Sequence, residues 1–289
     1  MFRYIPLIVL WASMSSGKAS FQGHFLRKNA KNTTDNLLFN CLIFWAAAVA
    51  MTALFCRSVP SWQTIVYGSI FGICSILYQY LYSSAMECGP MSLTVMFNTF
   101  YLVITIAAGI LFFNDSLKAT GVFGVLVLFA ALYFLLGGRR DERNVSWRWL
   151  WRVTGAMCLS GGLTVEMRVF KMTEAGSETG NFVAVAYLAA SLLSTVIVLF
   201  RSRKQKPTFS VNGKTILAAV IPGVLLGMYQ IMQLFLIPRV PAGVLYPICN
   251  GSVTMISALI GVLFFRDRLT NRQIVGLILG TAAIVLCSI

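Results

Sequence analysis

The sequence predicts an all-α integral membrane protein of ten transmembrane helices, arranged as two inverted five-helix repeats. Three observations carry that expectation. The 289-residue chain is 58% hydrophobic and 11% charged, against about 25% charged residues in an ordinary soluble domain. Its charges are clustered, leaving uncharged runs such as Thr179–Phe200, Thr215–Pro238 and Val240–Phe265. Each run exceeds the ~20 residues that a helix needs to cross a bilayer. Finally, a nine-residue stretch occurs twice: Gly109–Leu117 reads GILFFNDSL, and Gly261–Leu269, 152 positions later, reads GVLFFRDRL.

Only helices and closed barrels satisfy the backbone inside lipid, and these runs lack the two-residue alternation of a barrel strand. Taken in order, the helical spans are Tyr4–Phe25, Asn36–Cys56, Trp62–Met86, Pro90–Phe113, Lys118–Gly137, Leu150–Met172, Thr179–Phe200, Thr215–Ile237, Val240–Phe265 and Thr270–Ile289. No small-residue cleavage site followed by a soluble domain marks the first span as a leader, so it reads as retained. Connections are short; the longest are Gly138–Trp149 and Arg201–Lys214. The chain therefore divides into a first repeat, 1–137, a linker, 138–149, and a second repeat, 150–289. Five spans is an odd number, so the second repeat enters the membrane from the opposite side, with a pseudo-two-fold axis in the membrane plane.

The repeat extends beyond the nine residues. Gly124 falls on Gly276 at the same offset, Tyr78-Gln79 on Tyr229-Gln230 and Pro90 on Pro241 at 151, and Asn98 on Asn250 at 152. Ser16-Gly17-Lys18 of span 1 aligns with Ser160-Gly161-Gly162 of span 6. These two spans also hold the charges inside apolar runs: Lys18 in the first, Glu166 and Arg168 in the sixth. Intramembrane charge is costly and normally faces a wet cavity. The glycines suit either a locally weakened helix beside such a cavity or close helix packing, and both readings stay open.

Composition excludes other classes. A net charge of +14 on so apolar a chain belongs to loops that hold membrane orientation rather than to nucleic-acid binding. The seven cysteines show no C-x-x-C, and His24 is the one histidine. Neither a structural metal site nor a disulfide framework is expected, and no cofactor. H-E-x-x-H and G-x-S-x-G are absent, and Asp115 and Asp267 read as turn residues, so nothing points to an enzyme.

Ten short spans in two inverted halves, with Leu263-Phe264-Phe265-Arg266-Asp267-Arg268-Leu269-Thr270 ahead of a glycine-containing last span, resemble the drug/metabolite transporter superfamily, in its EamA-like branch. That branch's usual L-G-E-R-L-T stands here with aspartate in place of glutamate, at Asp115 as at Asp267. Leu10-Trp11-Ala12-Ser13 is similar to its L-W-G-S, and Ala85–Pro90 to its bend between spans 3 and 4. The resemblance implies a transporter whose central cavity is lined by spans 1, 3, 4, 6, 8 and 9. It leaves the solute open.

Candidate substrate-binding residues follow from polar character inside the spans. They are Lys18; Tyr78, Gln79 and Tyr82 in span 3; Asn98 and Tyr101 in span 4; Glu166 in span 6; Tyr229, Gln230 and Gln233 in span 8; and Tyr246 and Asn250 in span 9. Amides and phenols in lipid need a partner, either another helix or a bound solute. Tyrosine adds a face for apolar or cationic groups. Lys18 suits a substrate anion, an ion pair with Glu166, or a snorkelling interfacial lysine. Glu166 could couple proton movement to transport, or pair with Lys171 or Arg168. Glu87 and His24 read as interfacial.

The expected function is a secondary transporter moving a small polar or amphipathic metabolite, amino acid or amine-like, by alternating access. Its setting is the plasma membrane of a bacterial cell, as monomer or homodimer, with a proton as candidate coupling ion. The alternative is a lipid-moving or scaffold membrane subunit acting with a partner protein. Lys and Arg divide unevenly between the two sides. Sixteen lie in the connections after spans 1, 5, 7 and 9, against five on the opposite side. The positive-inside bias places the sixteen in the cytoplasm and both termini outside, the reverse of the family's habit. An inverted repeat accommodates this, because turning it over nearly superimposes the fold on itself. A reporter active only in the cytoplasm should stay dark when fused after Ile289; a bright fusion refutes the charge argument.

Overall fold

The computed structural model describes residues 4–56, 58–88, 94, 97–115, 119–136, 146–265 and 270–288. Among these residues there are ten α-helices and no strand: α1 Ile5–Asn29, α2 Thr33–Phe55, α3 Trp62–Cys88, α4 Tyr101–Phe113, α5 Ala119–Leu136, α6 Trp147–Met172, α7 Thr179–Lys204, α8 Gly213–Leu236, α9 Ala242–Phe265 and α10 Asn271–Ser288. Four segments are long and apolar enough to cross a membrane: Thr33–Phe55, Trp62–Met86, Thr179–Lys204 and Gly213–Leu236. Shorter apolar helical stretches are Phe97–Phe113, Ala119–Phe134 and Ile274–Ala283.

The helices fall on the predicted spans, and the offsets have local causes. α2 begins at Thr33 rather than Asn36 because Asn32 and Asp35 form a capping box. The Asn32 side chain accepts from the Asp35 amide, and the Asp35 carboxylate accepts from the Asn32 amide, which satisfies two helix-end donors at once. α6 begins at Trp147 because the Ser146 hydroxyl oxygen accepts from the Trp149 amide. α7 runs past Phe200 to Lys204, with Arg201, Arg203 and Lys204 in its last turn, where cations suit the helix dipole. Pro90 and most of the predicted fourth span before Phe97 lie outside the described residues. So do Asp267 with its neighbours Arg266 and Arg268, most of the inter-repeat linker, and the Glu87 side chain.

The chain divides into two compact units, each drawn from both halves of the sequence. The first comprises Met1–Ala12, Leu77–Arg168 and Leu236–Ile289; the second comprises Ser13–Ile76 and Val169–Phe235.

In the second unit α2 lies along α7. Phe39, Ile43, Ala47 and Met51 of α2 are buried, as are Phe182, Ala186 and Ala190 of α7. The Trp45 indole N–H donates to the Thr195 hydroxyl at 2.9 Å. α7 has the inside-out pattern of a membrane helix. Leu188, Leu192, Val196 and Leu199 stand exposed in one stripe, while Ser191 and Ser194 are buried. The serine hydroxyls donate to carbonyls three residues earlier, which removes the cost of burying them.

Two glycines allow backbones to approach in this unit. A Cβ at Gly72 in α3 would stand 2.2 Å from the Ala186 carbonyl oxygen. One at Gly223 in α8 would stand 2.8 Å from the Ile43 carbonyl oxygen of α2. Small residues at crossings are how helices gain packing contact where lipid removes the hydrophobic drive. At the connecting ends, the Glu178 carboxylate accepts from the Ser61 amide at 3.0 Å and the Thr64 hydroxyl at 2.7 Å. These bonds hold the Glu178 carboxyl below its usual range, because they favour the charged form.

In the first unit α10 packs along α5 and against α9. Leu102, Leu128, Leu132, Ala242, Tyr246 and Ala283 form one buried cluster. Ala85, Trp149 and Val153 form another. The Trp149 indole N–H donates to the Thr94 hydroxyl at 2.8 Å, which lets a large aromatic be buried without an orphaned donor.

The glycine crossing can be tested. Gly72→Ala should destabilise the protein by about 1–3 kcal/mol, as overpacking does. Gly23→Ala, where a Cβ meets nothing within 4 Å, should be neutral or stabilising by up to ~1 kcal/mol. Thermal unfolding of both variants in one detergent checks the contrast; equal melting temperatures would refute the close crossing.

Candidate functional site

All twelve candidate residues are buried or half-buried. The structure divides them between its two units. Tyr78, Gln79, Tyr82, Asn98, Tyr101, Glu166, Tyr246 and Asn250 belong to the first; Lys18, Tyr229, Gln230 and Gln233 belong to the second.

In the first unit a polar lattice ties α4, α6 and α9. The Asn250 amide donates to the Tyr101 hydroxyl at 2.6 Å and to the Tyr246 carbonyl at 2.8 Å. The Tyr246 hydroxyl donates to the Thr164 carbonyl at 3.4 Å. The hydroxyls of Thr164 and Thr105 lie 2.5 Å apart. Tyr101, Tyr246 and Asn250 thus serve as interhelical ties. Thr105 and Thr164 complete the lattice and were not among the candidates, since a lone threonine in a span carries no sequence signal.

Asn98 is placed differently from its repeat partner Asn250. Its amide nitrogen donates to the Tyr78 hydroxyl at 3.4 Å. Its carbonyl oxygen is buried and accepts from no group among the described residues. The Tyr78 ring stacks on Tyr82, with centroids 5.6 Å apart and planes 21° from parallel. Four positions before Asn250 stands Tyr246; four before Asn98 stands Thr94, whose hydroxyl is already engaged by Trp149. The Gln79 amide reaches the Ser83 hydroxyl at 3.5 Å within its own helix. Glu166 is half-buried on α6.

The Ser160-Gly161-Gly162 step is now resolved in part. A Cβ at Gly161 would meet Ile104 of α4 at 2.8 Å, whereas one at Gly162 meets nothing within 4 Å. Gly161 is a packing glycine, and Gly162 opens on free space.

Asp115 is more than a turn residue, and this corrects the sequence reading. Its two carboxylate oxygens accept from both guanidinium NH groups of Arg168, at 2.5 and 2.6 Å. One of them also accepts from the Ala242 amide at 2.9 Å, at the first residue of α9. The chain reaches this position because Asn114 adopts the left-handed conformation, φ 52°, one that asparagine tolerates better than most residues. Gly109 leaves the room: a Cβ there would stand 2.9 Å from the carboxylate. The Arg168 guanidinium also lies over the Phe113 ring, 4.6 Å from its centroid. One carboxylate therefore joins the end of α4, the last turns of α6 and the start of α9. The partner of Arg168 is 53 residues away in sequence, where helical spacing could not reveal it.

In the second unit Gln230 is buried and its side-chain oxygen accepts from the Tyr187 hydroxyl at 3.5 Å. Lys18 is half-buried on α1. One turn later the Gln22 amide donates to Asn40 of α2 at 2.8 Å, so Lys18 shares a helix face with a polar inter-helix contact. Among the described residues no group of three His, Cys, Asp or Glu side chains could hold a metal.

An all-helical chain with exposed apolar stripes, and with polar groups gathered between helices, is a multi-pass membrane protein. The EamA-like transporter family model matches residues 147–289. Residues 147–289 thus belong to that family, within the drug/metabolite transporter superfamily, and the match points to a membrane transporter of that type. No curated protein matches the sequence. A solved structure described only as "Crystal structure of protein" is similar in fold, with a TM-score of 0.76 at 18% identity, covering 98% of this chain and 94% of that one.

The ion pair gives a direct test. Truncating one member of a largely buried pair leaves the other charge uncompensated, at a cost of about 3–5 kcal/mol. Asp115→Ala and Arg168→Ala should each destabilise by roughly that amount, and the double variant by clearly less than their sum. Arg168→Lys should restore only part, because an ammonium lacks the planar fork. Additive losses in a melting series would separate the two residues.

Proposed function

We propose that the chain is a secondary transporter that carries a small polar or amphipathic metabolite, amino acid or amine-like, across the plasma membrane of a bacterial cell by alternating access. The observation that carries this reading is the polar set of the first unit, Tyr78, Tyr82 and Asn98 beside the lattice of Tyr101, Tyr246 and Asn250. Two of its members, Tyr246 and Asn250, lie in the stretch that the EamA-like transporter family model matches. A scaffold needs no such set, whereas a solute that must shed water needs hydrogen-bonding groups to replace it.

Ten spans in two inverted repeats, 1–137 and 150–289, remain our reading of the topology. It is supported by the paired sequence offsets and by two extensive helix pairs, α2 with α7 and α5 with α10. Each pair joins the helices that occupy the same place in the two halves, as a two-fold axis would. Alternating access needs bodies that move as wholes, and the chain has two compact units. Lys18, Gln79, Tyr229, Gln230 and Gln233 are assigned to the solute path on their polarity and recurrence, and Glu166 to proton coupling.

The test is a melting-temperature screen of the purified chain against amino acids, amines, nucleosides and sugars. It is followed by uptake of each stabilising solute into proteoliposomes. A ligand present at ~100 times its Kd should stabilise by about 2.7 kcal/mol. Glu166→Gln should keep binding but abolish the pH dependence of uptake. A chain that no solute stabilises, and that carries none, is a scaffold and not a transporter.

A further inference from the structure

Three features of the first unit bear on what the site recognises. Asn98 is 8% exposed, and its carbonyl oxygen accepts from no group among the described residues. A buried acceptor without a donor costs about 1–3 kcal/mol, so a fold that keeps one has a use for it. The amide is pinned through its nitrogen by Tyr78, which fixes the direction in which the oxygen is presented. Beside it, Tyr78 and Tyr82 form a stacked pair, and aromatic faces carry negative potential that attracts cations.

Two guanidinium groups of the same unit are otherwise engaged. Arg168 is held on both oxygens of Asp115. Arg152 donates to the Ser84 carbonyl at 3.3 Å and to the Cys88 sulfur at 3.1 Å. What the Asn98 region offers is thus a carbonyl oxygen and ring faces, all of which favour a positively charged donor and disfavour an anion.

We infer that Asn98, Tyr78 and Tyr82 form the ammonium subsite of the transporter, and that its substrate is an organic cation bearing at least one N–H. The Asn98 oxygen accepts that N–H, and the tyrosine faces hold the charge and the apolar body next to it. A quaternary ammonium has no N–H to give and is therefore discriminated against. This inference rests on the transporter reading above and narrows its solute to one charge type.

The experiment uses the full chain purified in detergent and four probes of matched size. They are phenethylamine, its N,N,N-trimethyl derivative, 2-phenylethanol and 3-phenylpropionate, each read by melting shift and by calorimetric titration. Phenethylamine should bind most tightly and the trimethyl compound about tenfold less tightly, because one hydrogen bond to a charged donor is lost. The neutral and anionic probes should bind more weakly still. Asn98→Leu should weaken phenethylamine about tenfold or more without changing the trimethyl compound. Asn98→Asp keeps an acceptor and should restore or tighten binding.

Three results would overturn the subsite: 3-phenylpropionate binding as well as the amine, the primary and quaternary amines binding alike, or no shift with any of the four. The comparison of primary with quaternary amine needs no variant, so a poorly folding Asn98→Leu leaves the inference exposed to refutation. If a sugar or nucleoside from the wider screen binds and is carried while phenethylamine does neither, the ammonium subsite fails and the transporter reading stands.

Discussion

A bilayer offers no hydrogen bonds, and most of this structure follows from that. Backbone groups must be satisfied within each segment, so the described chain is mainly helical. Polar side chains must find partners inside the protein, so Ser191 and Ser194 turn back onto their own helix, and Thr105 and Thr164 onto each other. Large apolar side chains have no such need and face outward, as Leu188, Leu192, Val196 and Leu199 do. Association then depends on close approach. Gly72, Gly161 and Gly223 stand where a neighbouring helix leaves no room for a Cβ, because packing replaces the hydrophobic drive.

The helices were legible in the sequence for the same reason. Long uncharged runs leave little choice of structure, and the ten described helices coincide in position with the ten predicted segments, four of them long and apolar enough to cross a membrane. Their ends were less legible. The α2 terminus is set by the Asn32–Asp35 capping box, and that of α7 by charges placed to suit a helix dipole. Neither registers in a hydropathy run. The repeat drew attention to Asp115, but its turn position concealed its role. What makes it an organising residue is the arrival of Arg168 and the Ala242 amide from distant segments. Contacts across 53 and 127 residues are set by tertiary packing, and no local pattern encodes them.

The site was half legible. Recurrence picked out Asn98 and Asn250 as equivalents, and the structure gives them different work. Asn250 has a tyrosine one turn before it and reaches Tyr101 at 2.6 Å, so it fastens α9 to α4. Asn98 has Thr94 in the matching place, and that threonine is taken by Trp149. Its amide is left with one long contact and an open acceptor. Equal residues in equal positions have unlike partners, Tyr101 at 2.6 Å for Asn250 and Tyr78 at 3.4 Å for Asn98. Sequence symmetry can locate such a pair but cannot say which member is structural.

On the inverted-repeat reading proposed above, that divergence bears on how a repeated chain can acquire a directed function. A strictly symmetric pair of asparagines would present the same chemistry to a solute from both halves and could not tell its two ends apart. A metabolite with an ammonium at one end and an apolar body at the other needs unlike partners. On the inferred subsite, Asn250 is spent on an interhelical tie while Asn98 keeps its oxygen available, which supplies that difference with no change in the repeated residue. The Asp115–Arg168 pair acts in the same unit to the same end. It fixes α4, α6 and α9 relative to one another through charge-assisted bonds, so the helices that carry Tyr101, Tyr246 and Asn250 form a frame that does not have to assemble upon binding. Preorganisation of this kind lowers the ordering cost of binding, and the subsite we infer draws its selectivity from the Asn98 oxygen, which accepts from no group among the described residues.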